Sequence, residues 1–130
     1  MKTGIFAALG ILGVAFGAAA SQPLTSQVKN DENELLLADS FSRTLYVFDA
    51  DQGQAAPACN GACAELWPPY LITPQEAQGL VAPYGAIQRS SRKSQLTYNG
   101  RPVYTYAPDR KVGDDQGDGV GGAWHYIQVQ

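Results

Sequence analysis

Three rhythms of hydrophobic and polar positions follow one another along this 130-residue chain. After Met1-Lys2-Thr3, the segment from 4 to 20 carries no charge, and Ile5, Phe6, Leu9, Ile11, Leu12, Val14 and Phe16 make it apolar. Residues 21–33 are polar with no apolar period, which predicts a flexible lead-in. Beyond Glu34, short apolar runs are broken by Gly, Pro, Asn and Asp, the pattern of strands joined by turns.

Residues 34–38 and 44–48 read as strands, and the turn-prone 39–43 between them predicts a hairpin. A loop of Asp, Gly, Gln, Pro and Asn follows over 49–62, and Pro68 and Pro69 keep 66–71 extended. Thr73-Pro74-Gln75-Glu76 is a helix start, with a hydroxyl cap, proline at the first position and Glu three after the cap. Gly79 ends it, so a short helix near 74–79 is the only one expected after the apolar segment. In the second half, 86–88 precedes a polar turn at 90–94 and a strand at 95–98. Asn99-Gly100 is the strongest two-residue hairpin signal, because both positions tolerate positive φ. The return strand 101–106, a Gly/Asp loop over 109–122 and a last strand at 123–129 complete the chain.

The two halves, about 34–71 and 86–130, share a pattern. Tyr46-Val47-Phe48-Asp49-Ala50-Asp51 and Tyr104-Thr105-Tyr106-Ala107-Pro108-Asp109 both read Tyr-x-aromatic-x-x-Asp, and the loop after each Asp ends at a tryptophan, Trp67 or Trp124. Strand alternation places Tyr46 with Phe48, and Tyr104 with Tyr106, on one face. Each Asp stands past a strand end, where its carboxylate can accept backbone N–H bonds and shape the loop. The expected fold is therefore all-β: a small pseudo-two-fold antiparallel domain over 34–130, made of two related hairpin units. The aromatics admit two readings. They form either a cleft for a flat ligand or extended chain, or the core of a duplicated β unit, and large aromatics at strand spacing are more often core.

The same residues resemble a family of secreted or lipoprotein repeats of unknown function described by a Tyr-x-[Phe/Trp/Tyr]-x-x-Asp motif. The resemblance rests on residues 44–51, on Cys59-Asn60-Gly61-Ala62-Cys63 with Leu66-Trp67-Pro68-Pro69, on 95–104, and on Gly113-Asp114, Gly117, Gly119, Gly121, Gly122 and Trp124-His125. It covers most of the chain beyond Glu34. It implies an exported β domain and no known reaction. Two departures stand out: the chain lacks the lipobox of many relatives, and it holds one repeat pair where others carry several.

A basic start, a short apolar run and Ala18-Ala19-Ala20 before Ser21 read as a secretory signal peptide over 1–20, cleaved after Ala20. The apolar run is shorter than a membrane span and has no basic flank on its far side, so no stable anchor is expected after cleavage. Losing Lys2 takes the formal charge from −3 to −4. Such a mildly acidic chain has no footprint for nucleic acid or anionic lipid. The expected location is periplasmic or secreted.

Cys59 and Cys63, the only cysteines, are expected to pair in an oxidising compartment, with Gly61 allowing the tight turn. The alternative is a periplasmic copper-binding or thiol-redox protein using Cys59, Cys63 and His125, a soft ligand set suited to Cu(I). Asp109, Asp114, Asp115 and Asp118 among glycines offer oxygen ligands for calcium, but without EF-hand spacing. No G-x-S-x-G or H-E-x-x-H is present, and a carboxylate pair from Asp49, Asp51 and Asp109 is more simply read as turn caps. The leading expectation is thus a non-catalytic binding module without a cofactor, meeting an unknown envelope or extracellular partner. Its contact surface would be lined by Tyr46, Phe48, Tyr104, Tyr106, Trp67 and Trp124 and rimmed by Asp51, Asp109 and Arg101.

Overall fold

The computed structural model describes residues 23–90 and 92–130. The expected leader, its cleavage site and the first two residues of the lead-in lie outside them. The elements are β1 (Thr25–Lys29), β2 (Leu35–Asp39), β3 (Tyr46–Phe48), α1 (Ala62–Leu66), β4 (Leu71–Ile72), α2 (Pro74–Gln78), β5 (Tyr84–Ser90), β6 (Lys93–Tyr98), β7 (Arg101–Tyr104) and β8 (Trp124–Tyr126). Short 3-10 turns occupy Asp49–Asp51 and Val120–Gly122. The protein is all-β in character, as its alternating runs predict.

Five strands follow the order β4-β6-β7-β3-β8 in a six-stranded sheet, and β5 pairs with β6 as the sixth. Its centre interleaves the two halves: β3 of the first lies between β7 and β8 of the second, all antiparallel. Tyr46 faces Tyr104 and Val47 faces Val103 across the β3–β7 pair. Alternation then sorts the two faces. Val47 and Val103 join Leu37, Leu45, Ile72 and Leu96 in an aliphatic core, while Tyr46 and Tyr104 join Cys59, Trp67 and Trp124 in an aromatic one. The central strands are thus covered on both sides.

The local signals act where the sequence places them. Asn99 (φ 51°) and Gly100 (φ 79°) make the tight turn from β6 to β7. At α2, the Thr73 hydroxyl accepts the Glu76 N–H and the Glu76 carboxylate accepts the Thr73 N–H, closing a capping box.

Three expectations need correction. The lead-in is not a flexible tail over its described length: β1 pairs with β2 over five residues, from Thr25 opposite Asp39 to Lys29 opposite Leu35. Val28 is buried against Leu36 and Ala38, and the buried Asn30 side chain accepts the amides of Glu32 and Glu34 to turn the chain. The first hairpin is reduced to a bridge between Ala38 and Thr44, because β2 pairs with β1 and β3 with the second half. Helix near 74–79 is also not alone, since α1 forms at 62–66 directly after Gly61, whose φ of 58° starts the turn.

Candidate functional site

The aromatic core is built from corresponding positions of the two motifs. The loop after Asp51 returns through α1, where the Trp67 N–H donates to the Cys63 carbonyl at 2.8 Å. The loop after Asp109 returns through the Val120–Gly122 turn to Trp124. Both indoles arrive over the β3–β7 pair and overlay each other, centroids 3.8 Å apart and planes 2° apart. Phe48 stacks on Trp124 at 4.1 Å, and Tyr106 lies against Trp67 at 4.2 Å, tilted 32°. A pile of four rings results, ordered Phe48, Trp124, Trp67, Tyr106. The two motif tyrosines meet it edge-on, Tyr46 against Trp67 and Tyr104 against Trp124.

Each buried tyrosine donates its O–H to the aspartate of the other motif. Tyr46 reaches Asp109 Oδ2 at 2.6 Å, and Tyr104 reaches Asp51 Oδ2 at 2.8 Å. The second oxygen of each carboxylate accepts a loop amide, Gln116 N–H for Asp109 and Ala58 N–H for Asp51. One aspartate therefore fixes its own loop and binds the opposite strand at once. Burial, reinforced by these carboxylates, pushes both phenols well above their ordinary range. Burial likewise raises the Asp109 carboxyl, against the bonds it accepts from Tyr46 and Gln116.

Gly117 closes the cluster from above. Its N–H donates to Tyr46 Oη at 3.2 Å. A Cβ there would stand 2.8 Å from Trp67 Cη2 and 2.9 Å from Tyr46 Cζ, so the loop backbone rests on the rings. The Cys59–Cys63 disulfide (Cα–Cα 5.2 Å) packs into the same cluster, with Cys59 fully buried. Arg89 ties this loop to the sheet, donating to the Cys59 carbonyl at 2.7 Å and to Gln95 Oε1 at 3.0 Å. The buried Gln95 amide in turn donates to the Val103 carbonyl at 2.8 Å. Neither Arg89 nor Gln95 carries a sequence signal for this role.

Two sequence-level sites are corrected. The six aromatics do not line an open surface: Tyr46 and Tyr104 are 0% exposed, Trp67 3% and Trp124 5%, leaving only Phe48 and Tyr106 half-buried at the ends of the pile. Of their proposed rim, Asp51 is buried and Asp109 and Arg101 are half-buried. Copper finds no thiolates, because both sulfurs are in the disulfide. His125 Nε2 lies 3.0 Å from Asp49 Oδ2 on the surface, and Arg101 approaches Asp49 Oδ1 at 3.5 Å. Hydrogen bonding to His125, aided by Arg101, holds the Asp49 carboxyl below its ordinary range.

The acidic loop spends its carboxylates on its own chain. Asp114 accepts the Arg110 and Lys111 amides, Asp115 accepts Asn30, and Asp118 accepts the Tyr126 N–H. Among the described residues no cluster of three His, Cys, Asp or Glu side chains is arranged to hold a metal ion.

These features define a small β domain in which paired Tyr-x-aromatic-x-x-Asp segments clasp each other around a shared aromatic pile. The profile of a family described as a secreted repeat of unknown function matches residues 35–70 and 85–128, and the chain belongs to that family. The two matched segments contain β3 with Trp67 and β7 with Trp124, the parts that build the pile. No curated protein and no solved structure matches the chain. No helix among the described residues is long and apolar enough to cross a membrane.

Proposed function

We propose that this protein works outside the cytoplasm, in a periplasm or the extracellular space, as a non-catalytic interaction module. Export is supported by the leader-like first 20 residues, by the family's description as secreted, and by the disulfide. With the aromatic pile consumed as core, the contact surface lies elsewhere.

What supports this reading is a pair of loop tips, each braced by an aspartate, that present apolar and cationic side chains together. Phe41 is 83% exposed and Val112 69%, and with Arg43, Arg110 and Lys111 they line one concavity of about 320 Å3. Buried Asp39 holds the first tip by accepting the Phe41 and Arg43 amides at 2.9 and 2.8 Å. Asp114 holds the second by accepting the Arg110 and Lys111 amides at 2.8 and 2.9 Å. Tips ordered before contact lose little entropy on binding, and exposed aromatics and arginines are the residues interfaces favour. Asp39 is buried and the Asp114 carboxylate is taken up by two amides of its own loop, while Arg43, Arg110 and Lys111 are exposed, so the fitting partner is a protein with an acidic rim and an apolar centre.

A photoreactive amino acid at position 41 of the exported protein, irradiated in its host, is expected to give a discrete protein adduct. Arg110→Glu with Val112→Asp should abolish it without lowering the unfolding midpoint. The same adducts from a photoreactive residue at position 53, which lines none of that concavity, would overturn the reading, as would none from position 41.

A further inference from the structure

We infer that the four-ring pile and its two tyrosine–aspartate pairs form a redox site, which takes one-electron oxidation from a surface oxidant and stores it as a buried tyrosyl radical. The inference is independent of the contact surface proposed above. It rests on three features that a merely space-filling core does not require together.

The first is the parallel stacking of Trp67 and Trp124, with centroids 3.8 Å apart and planes 2° apart. Contact between the two π faces lets a positive hole spread over both indoles, which makes the pair easier to oxidise than either alone. The second is access. Tyr106 is half-buried at one end of the pile and 4.2 Å from Trp67, so an electron can leave the interior without the oxidant entering it. The third is a proton acceptor at each buried phenol. Tyr46 contacts Trp67, and its O–H already points at Asp109 Oδ2 at 2.6 Å. Tyr104 contacts Trp124 and bonds Asp51 Oδ2 at 2.8 Å.

A one-electron oxidant of the high-potential metal-complex or peroxide-derived radical class accepts one electron from the pile through Tyr106, leaving the hole on the indole pair. Tyr46 then gives its electron to the indole pair and its phenolic proton to the Asp109 carboxylate. The products are a reduced oxidant, restored indoles, a neutral Tyr46 phenoxyl radical and a neutral Asp109 carboxylic acid. Tyr104 and Asp51 offer the same step from the other motif. Moving the proton within an existing hydrogen bond avoids a cationic phenol in a buried site, where unpaired charge is costly. Asp109 suits the role, since burial already makes it a readier proton acceptor than an exposed carboxylate.

The test oxidises the disulfide-bonded protein with photogenerated ruthenium(III) tris-bipyridine and follows radicals by transient absorption and electron paramagnetic resonance. A tryptophanyl signal is expected first, giving way to a neutral tyrosyl signal whose rise slows in deuterium oxide. Tyr46→Phe with Tyr104→Phe should cut the tyrosyl yield about tenfold, and Asp51→Asn with Asp109→Asn should slow its rise about tenfold while the tryptophanyl signal persists. A tyrosyl yield unchanged by the tyrosine pair would overturn the inference by assigning the radical to other tyrosines. Should the variants fail to fold, the wild type still decides: no tyrosyl signal, or a rise indifferent to deuterium oxide, ends it.

Discussion

At the scale of single residues, the decisive contacts are those between a side chain of one motif and a side chain or loop of the other. Gly117 shows how tightly they are closed, since its missing side chain leaves room for Trp67 and Tyr46. Gly117→Ala forces ring and loop apart and is expected to destabilise the protein by about 1–3 kcal/mol, the range for overpacking a filled core. A urea titration checks this; an unchanged midpoint would mean that the loop does not rest on the rings. The sequence showed that Tyr46 and Phe48 share a face, and that Asp51 and Asp109 could accept loop amides. Both hold, through Ala58 and Gln116. It did not show whether the aromatic face was covered, because alternation reports which side a residue points to and nothing about what arrives there. The cover comes from Trp67 and Trp124 at the ends of long loops, positions that no periodicity marks.

At the scale of elements, legibility followed locality. The Asn99-Gly100 turn and the Thr73–Glu76 capping box are set by neighbours one to three residues apart, and both formed as read. β1 escaped notice because Val28 is its only buried residue, too little for a pattern of alternation. α1 escaped because five residues after a glycine within a short disulfide ring look like a loop in sequence. The strand status of β1 has a direct consequence. Val28→Asp would put a charge among Leu36, Ala38 and Tyr126, and is expected to lower stability by about 2 kcal/mol or more, whereas a flexible tail would absorb it without effect. Thermal unfolding of the variant beside the wild type distinguishes these outcomes.

At the scale of the molecule, the duplication visible in the sequence becomes interdependence. β3 is paired on both sides by strands of the second half, and β4 pairs with β6. Each tyrosine finds its acceptor across the repeat boundary, so neither half satisfies its own buried phenol. The sequence displayed the two copies but not this exchange, because Tyr-x-aromatic-x-x-Asp reads equally well as a contact within one copy. The exchange also accounts for buried Asp51. A carboxylate in the core is tolerable because a phenol and a backbone amide both donate to it.

Double-mutant cycles in urea unfolding, using Tyr→Phe and Asp→Asn at all four positions, test the exchange most directly. Coupling of about 1–3 kcal/mol is expected for Tyr46 with Asp109 and for Tyr104 with Asp51, as for hydrogen bonds to a charged acceptor. The same-copy pairs, Tyr46 with Asp51 and Tyr104 with Asp109, should couple far less. Coupling that follows the same-copy pairs, or additivity in all four cycles, would contradict the clasp.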